Sequence, residues 1–228
     1  MMIVTLAWVE FVFGSLMFSY WLGRLVRQDV RTVGDGNPGA FNLWAVAGWK
    51  LGLAGVALDF LKGYFPLVWL IRAENISGYG LALLAAAPIL GHLFSPFLKF
   101  RGGKGIAVTF GVWSALTSFK AALVYAILLA ALLGLAILFK GSRRISDEAN
   151  GFQVVFGMLL LSVYLITEGF PAPILVFWLV NLLLLGFANR HKLAVFSRNV
   201  LSARDRKAGW LGNRDDSTAV PVDPESKS

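Results

Sequence analysis

The chain has 228 residues, of which 57% are hydrophobic and 15% charged, with a formal net charge of +8. A soluble domain carries roughly 25% charged and about 45–50% apolar residues. The composition therefore excludes an ordinary soluble globule and predicts an all-α integral membrane protein. No cysteine is present, which rules out disulfides and thiolate chemistry. With only His92 and His191 to offer imidazole, a closed zinc site of about four ligands is not expected. Nothing implies another cofactor or a nucleic-acid partner.

A crossing helix needs about 20 mostly apolar residues. In chain order, segments 2–23, 51–71, 78–98, 105–118, 121–139, 152–168 and 173–188 meet or approach that length. The first is apolar apart from Glu10. It lacks the basic start and small-residue cleavage site of a signal peptide, so it reads as a retained span. The fourth is short, and "TSFKA" after it reads as a tight turn or a break. Seven spans are the first expectation, with five or six as alternatives. Residues 1–190 form one membrane domain, and 191–228 a polar tail expected to be disordered from about Asn213.

Cations set the expected orientation, because cytoplasmic loops collect Lys and Arg. With seven spans and the N-terminus outside, Arg24, Arg27, Arg31 and Lys50 lie inside, as do Lys99, Arg101, Lys104, Lys140, Arg143 and Arg144. Only Arg72 and Lys120 then fall outside. The C-terminal tail is cytoplasmic in this reading.

The loop "KFRGGKGIAV" at 99–108 places three cations and three glycines between two apolar segments. Glycines let backbone N–H groups converge on an anion. The helix expected from Gly105 adds the positive partial charge of its N-terminus, and Lys104 adds a full charge. Phosphate suits such a site. It is not a P-loop, because Leu98 stands at the first glycine position and Gly105 at the Ser/Thr position. The alternative is a basic turn whose small residues serve close packing. A second loop, "RTVGDGNPGAFN" at 31–42, is rich in turn formers. In "ALDFLKG" at 57–63, Asp59 and Lys62 share one helical face inside a span. They read as a structural ion pair or as part of a site.

These segments match a family pattern. "GSLMFSYWLGR", "VGDGNPGAFN" and "LDFLKG" resemble the first signature of the bacterial acyl-phosphate:glycerol-3-phosphate acyltransferases, the PlsY family. "GHLFSPFLKFRGGKGIAVTFG" at 91–111 resembles the second almost residue for residue. The resemblance implies a seven-span enzyme of the bacterial inner membrane with a cytoplasmic active face. Its substrates would be acyl phosphate and glycerol 3-phosphate, and its product lysophosphatidic acid. It also implies that substrate phosphate accepts the proton. Gly102, Gly103, Lys104 and Gly105 match the family's phosphate loop, and His92 opens that motif. Asn37, Gly39 and Asn42 match retained positions of the first signature. The candidate catalytic residues are His92, Lys104 and Asp35. Candidate substrate contacts are Asn37, Gly39, Asn42, Lys62, Ser146, Arg190 and Lys192.

The chain departs from the pattern in several places. Asp35 stands where the family has serine, Phe41 where it has threonine, and Ala45 where it has arginine. Its His-Arg-x-Asn reads Asn189, Arg190, His191, Lys192. A carboxylate at 35 would repel phosphate unless Lys192 or Lys50 compensates. Two further readings follow: a relative with another acceptor, activated by Asp35 as base, or a silent phosphate- or lipid-binding scaffold. A transporter is disfavoured, because the loop chemistry sits at one face and no repeat is visible. His-x-x-x-x-Asp acyltransferases are excluded, since Phe97 and Phe196 stand five residues after the two histidines.

Overall fold

The computed structural model describes residues 1–74, 76–140 and 146–216, with the side chains of 140 and 203–216 left out. Residues 217–228, most of the expected disordered end, lie outside the described residues, as do Arg143 and Arg144. The described residues form eight α-helices: α1 (Met2–Ser15), α2 (Phe18–Leu25), α3 (Ala40–Glu74), α4 (Gly78–Leu93), α5 (Ile106–Thr117), α6 (Lys120–Lys140), α7 (Asp147–Thr167) and α8 (Ala172–Asp216). They contain no strand, as the hydropathy predicts for a chain that must satisfy its backbone inside a bilayer.

Among the described residues, six segments are long and apolar enough to cross a membrane, counting α1 and α2 together as Met2–Leu25. The fourth expected span is α5. Its 12 residues reach only about 18 Å at ~1.5 Å per residue, against ~30 Å of hydrocarbon. Ser118 and Phe119 both turn through the left-handed region (φ 49° and 68°), and α6 runs back alongside. The turn is held by Thr117, whose Oγ1 accepts from Ala121 N–H at 3.0 Å and donates to the Trp113 carbonyl at 2.7 Å. A buried polar pair fixes α5 to α8. Trp113 Nε1 donates to Asn181 Oδ1 at 2.9 Å, and Asn181 Nδ2 to Thr109 Oγ1 at 3.2 Å.

Two helix boundaries differ most from the hydropathy reading. α3 begins eleven residues before the expected span, and Gly48 (φ 82°, ψ 171°) bends it; only glycine takes such a conformation cheaply. α8 continues without a break across the expected domain boundary at residue 190. Its 45 residues span about 68 Å, more than twice the hydrocarbon thickness.

Helices of a membrane bundle meet through small residues, because van der Waals contact replaces the hydrophobic effect there. Gly14 of α1 packs on Pro88 of α4, where a Cβ would stand 2.1 Å from the Pro88 carbonyl oxygen. Gly91 packs equally closely on the Phe11 carbonyl. Glu10 is fully buried in α1, and neither of its carboxyl oxygens has a partner among the described residues. An unsatisfied buried polar group costs about 1–3 kcal/mol. Glu10→Leu keeps the volume and removes that cost, so the melting temperature in detergent is expected to rise by several degrees. A fall would show that the carboxyl is bonded in the native protein.

Candidate active site

The first span is broken between α1 and α2, where Leu16 (ψ 119°) and Met17 (ψ 66°) leave the helix. Freed carbonyls inside a bilayer need donors. Ser95 Oγ donates to the Ser15 carbonyl at 2.7 Å, and Lys62 Nζ donates to the Leu16 carbonyl. Lys62 lies 2.9 Å from Asp59 Oδ1 as an ion pair, although this contact is not aligned as a hydrogen bond. Ser19 Oγ donates to the other Asp59 oxygen at 2.7 Å.

Lys62 Nζ also lies 2.8 Å from His92 Nδ1. An ammonium has three donors and no acceptor, so Nδ1 accepts and the imidazole proton sits on Nε2. That nitrogen faces the glycine loop: a Cβ at Gly103 would stand 2.3 Å from it. Neither His92 nor Lys62 lines the cavities described below. Both are buried behind the loop, where His92 braces it and Lys62 orients His92.

The glycine loop folds back onto the last turn of α4. Gly102 N–H donates to the Leu93 carbonyl at 3.0 Å and Gly103 N–H to the His92 carbonyl at 3.1 Å. Those two amides are therefore taken, and in this arrangement they do not face a ligand. A Cβ at Gly102 would stand 1.9 Å from the His92 carbonyl oxygen, so glycine here serves close approach. Positive charge comes instead from Lys104 and the N-terminus of α5. The first bond of that helix runs from Thr109 N–H to Gly105 O at 2.8 Å, which leaves its first-turn amides without intrahelical partners. Lys99 and Phe100, just before the glycines, have φ of 54° and 60°, an outlier conformation that clusters at functional sites.

The 33–42 loop closes over Lys104. Asn42 Nδ2 holds its shape through the Val33 and Asn37 carbonyls, each at 2.9 Å, and reaches Asp35 Oδ1 at 3.3 Å. Gly39 is buried against Asn37. Asp35 Oδ2 pairs with both Lys104 and Lys192, the latter at 2.8 Å. Burial works against the Asp35 charge, but hydrogen bonds from the two lysines outweigh it and hold the carboxyl well below the usual carboxylate range. A depressed carboxylate contributes stability that is present above its unfolded pKa and lost as pH falls through the folded one. The tie thus persists throughout the neutral range.

The remaining predicted residues are spread around this centre. Arg190 is exposed; it donates to the Phe187 carbonyl at 2.8 Å and lies 4.2 Å from that ring's centroid. Ser146 caps α7, accepting from Ala149 N–H at 3.3 Å. Lys50 is exposed beside Trp49 and lines neither cavity.

A cleft of ≈ 1340 Å³ opens beside Lys104, with Arg31, Lys99, Arg101 and Arg190 around it. A groove of ≈ 390 Å³ lies on its other side, walled by Ile106, Leu129, Ala130, Leu133 and Val154. The two meet at Asp35, Asn37 and Lys104. Arg31 enters the sequence reading only as a sidedness signal, and Arg101 also as one of the three cations of the quoted loop motif. Among the described residues there is no group of three or more His, Cys, Asp or Glu that would hold a metal.

A polytopic helical protein with a braced glycine loop and converging cations, set between a basic cleft and an apolar groove, has the build of a membrane enzyme for phosphorylated amphiphiles. The glycerol-3-phosphate acyltransferase family profile matches residues 4–196. Glycerol-3-phosphate acyltransferase 1 of Thermotoga maritima is 35% identical over 199 residues, 84% of this chain and 96% of that one. The enzyme of Endomicrobium trichonymphae is 33% identical over 183 residues, 80% and 85% of the two chains. Among solved structures, the integral membrane glycerol 3-phosphate acyltransferase PlsY (YgiH), in its glycerol 3-phosphate and lysophosphatidic acid forms, superposes with a TM-score of 0.73 at 26% identity, covering 90% of this chain and 94% of that one. The chain belongs to the glycerol-3-phosphate acyltransferase family.

Proposed function

We propose that this protein transfers a fatty acyl group from acyl phosphate to the first hydroxyl of glycerol 3-phosphate, releasing lysophosphatidic acid and inorganic phosphate. The observation that carries this reading is the meeting of the cationic cleft and the apolar groove at Lys104. A phosphoryl group and an acyl chain of one substrate need such a junction.

In this reading the hydroxyl oxygen attacks the acyl carbonyl carbon, the bond from that carbon to the phosphate oxygen breaks, and phosphate leaves with the electron pair. The hydroxyl proton ends on the departing phosphate. A mixed anhydride has a good leaving group, so charge stabilisation and positioning contribute more than a strong base. Lys104, Lys192 and the N-terminus of α5 supply the charge. Asn37, Gly39 and Asn42 shape the loop over it, and Gly102, Gly103 and His92 brace it from below. Arg190 lines the cleft from α8, and Ser146 caps α7, whose Asp147, Asn150 and Gln153 line the groove. Asp35, held ionised by two lysines, is a weak base, which disfavours a neutral acceptor activated by it.

The test uses purified protein with radiolabelled glycerol 3-phosphate. Labelled lysophosphatidic acid is expected with palmitoyl phosphate and not with palmitoyl-CoA. Equal or better use of the CoA thioester would overturn the choice of donor.

The active end faces the cytoplasm of a bacterial inner membrane in this reading, supported by the crowding of Arg24, Arg27, Arg31, Lys99, Arg101 and Lys104 at that end. Because the chain has no cysteine, Arg198→Cys and Glu168→Cys report orientation without background. An impermeant maleimide applied to intact cells should label position 168 and spare position 198. The reverse pattern would invert the topology.

A further inference from the structure

One seat suited to an anion is already occupied by one of the protein's own side chains. Lys104, at the start of α5, and Lys192, on α8, converge on a single oxygen, Asp35 Oδ2. The second oxygen is steadied by Asn37 N–H at 3.2 Å and Asn42 Nδ2 at 3.3 Å. All three charged side chains are partly open to solvent, at 17–22% exposure, so a solute can reach them. Asp35 stands where cleft and groove join. It is flanked by Gly34 and Gly36, with φ of 56° and 70°. Glycine loses little on leaving or re-entering such conformations, so the carboxylate can swing without moving α3.

We infer that Asp35 is a resident anion that holds the phosphoryl seat in the empty protein, and that a phosphorylated substrate binds by taking Lys104 and Lys192 from it. The inference rests on the reading of this seat as phosphoryl-binding and adds how it is gated. Its charge balance explains the arrangement. The two lysines and one carboxylate leave one positive charge unmatched, whereas a phosphate dianion matches both lysines. A monoanionic competitor gains nothing over Asp35 and is rejected. The resident carboxylate also keeps two like charges paired when no substrate is present.

Two measurements test the exchange with inorganic phosphate as the probe. In wild type, carbodiimide should join Asp35 to Lys104 or Lys192 without a spacer, detected by mass spectrometry. Saturating phosphate should suppress this crosslink relative to carbodiimide labelling of the exposed Glu168, which lines neither cavity. A crosslink untouched by phosphate would overturn the inference. In calorimetric titration of the full chain in detergent, Asp35→Asn and Asp35→Ser should each bind phosphate at least tenfold more tightly than wild type. Adding Lys192→Met should remove that gain. Unchanged or weaker binding in folded Asp35 variants would make Asp35 part of the seat and not its competitor. Acyl transfer is read separately on the wild type. Turnover with no competition by Asp35 defeats this inference alone, whereas competition with no turnover defeats the acyltransferase reading alone.

Discussion

Lys104→Met is expected to lower kcat/KM for acyl transfer by about 10²–10³-fold, the usual consequence of removing one preorganised charge from an anionic transition state. The side chain projects from the start of α5, where it adds a full charge to the partial charge of the helix N-terminus. Folding should survive, because Asp35 keeps Lys192 as a partner at 2.8 Å. Lys104→Arg should recover part of the activity, since charge is restored with a different shape. Both variants are measured with palmitoyl phosphate and glycerol 3-phosphate, alongside a thermal melt. Wild-type activity in Lys104→Met would leave the loop as a turn and nothing more.

Lys62→Met is expected to act first on stability. Lys62 and Asp59 are both nearly inaccessible, with side chains 2% and 3% exposed. Removing one member of a buried pair costs about 3–5 kcal/mol, because the remaining charge is left uncompensated. Here the loss also strips a donor from the Leu16 carbonyl and from His92 Nδ1. Asp59→Leu combined with Lys62→Met should melt above Lys62→Met alone, since the orphaned carboxylate is gone. Thermal melts of the two variants in one detergent decide it. A single variant as stable as wild type would show that the pair does not hold the broken span in place.

The Asp59–Lys62 pairing was legible from spacing alone, because residues three apart on a helix share a face and charges inside a span seek partners. Its purpose was not. The broken first span that Lys62 serves has neither proline nor glycine at Leu16 or Met17, and its cause lies in donors from α3 and from the segment after α4. Long apolar stretches announced most crossings, but 105–118, although short, is among the seven spans expected first, and α5 has only 12 residues. Hydropathy could not foresee that α8 continues as helix well past its apolar part, since the signal tracks lipid exposure rather than backbone conformation.

The glycine loop was legible as a candidate site, whereas the contacts of its individual residues were not. Sequence pointed to open amides at Gly102 and Gly103, but these bond to α4 carbonyls. His92, placed by its motif among catalytic candidates, lies beneath the loop with its ring tied to Lys62. The expected repulsion between Asp35 and phosphate takes a different form once Lys104 and Lys192 are seen to share that carboxylate. Such long-range pairing, 69 residues apart for Lys104, is set by tertiary structure and leaves no local trace.

Phosphorus NMR of the purified wild type with palmitoyl phosphate and glycerol 3-phosphate tests the central claim most directly, since every phosphorus-bearing species appears in one spectrum. The expected result is loss of both substrate signals with matched growth of lysophosphatidic acid and inorganic phosphate, slowed by about 10²–10³-fold in Lys104→Met. Inorganic phosphate growing while the glycerol 3-phosphate signal stays constant would contradict acyl transfer and mark the protein as a hydrolase of the donor.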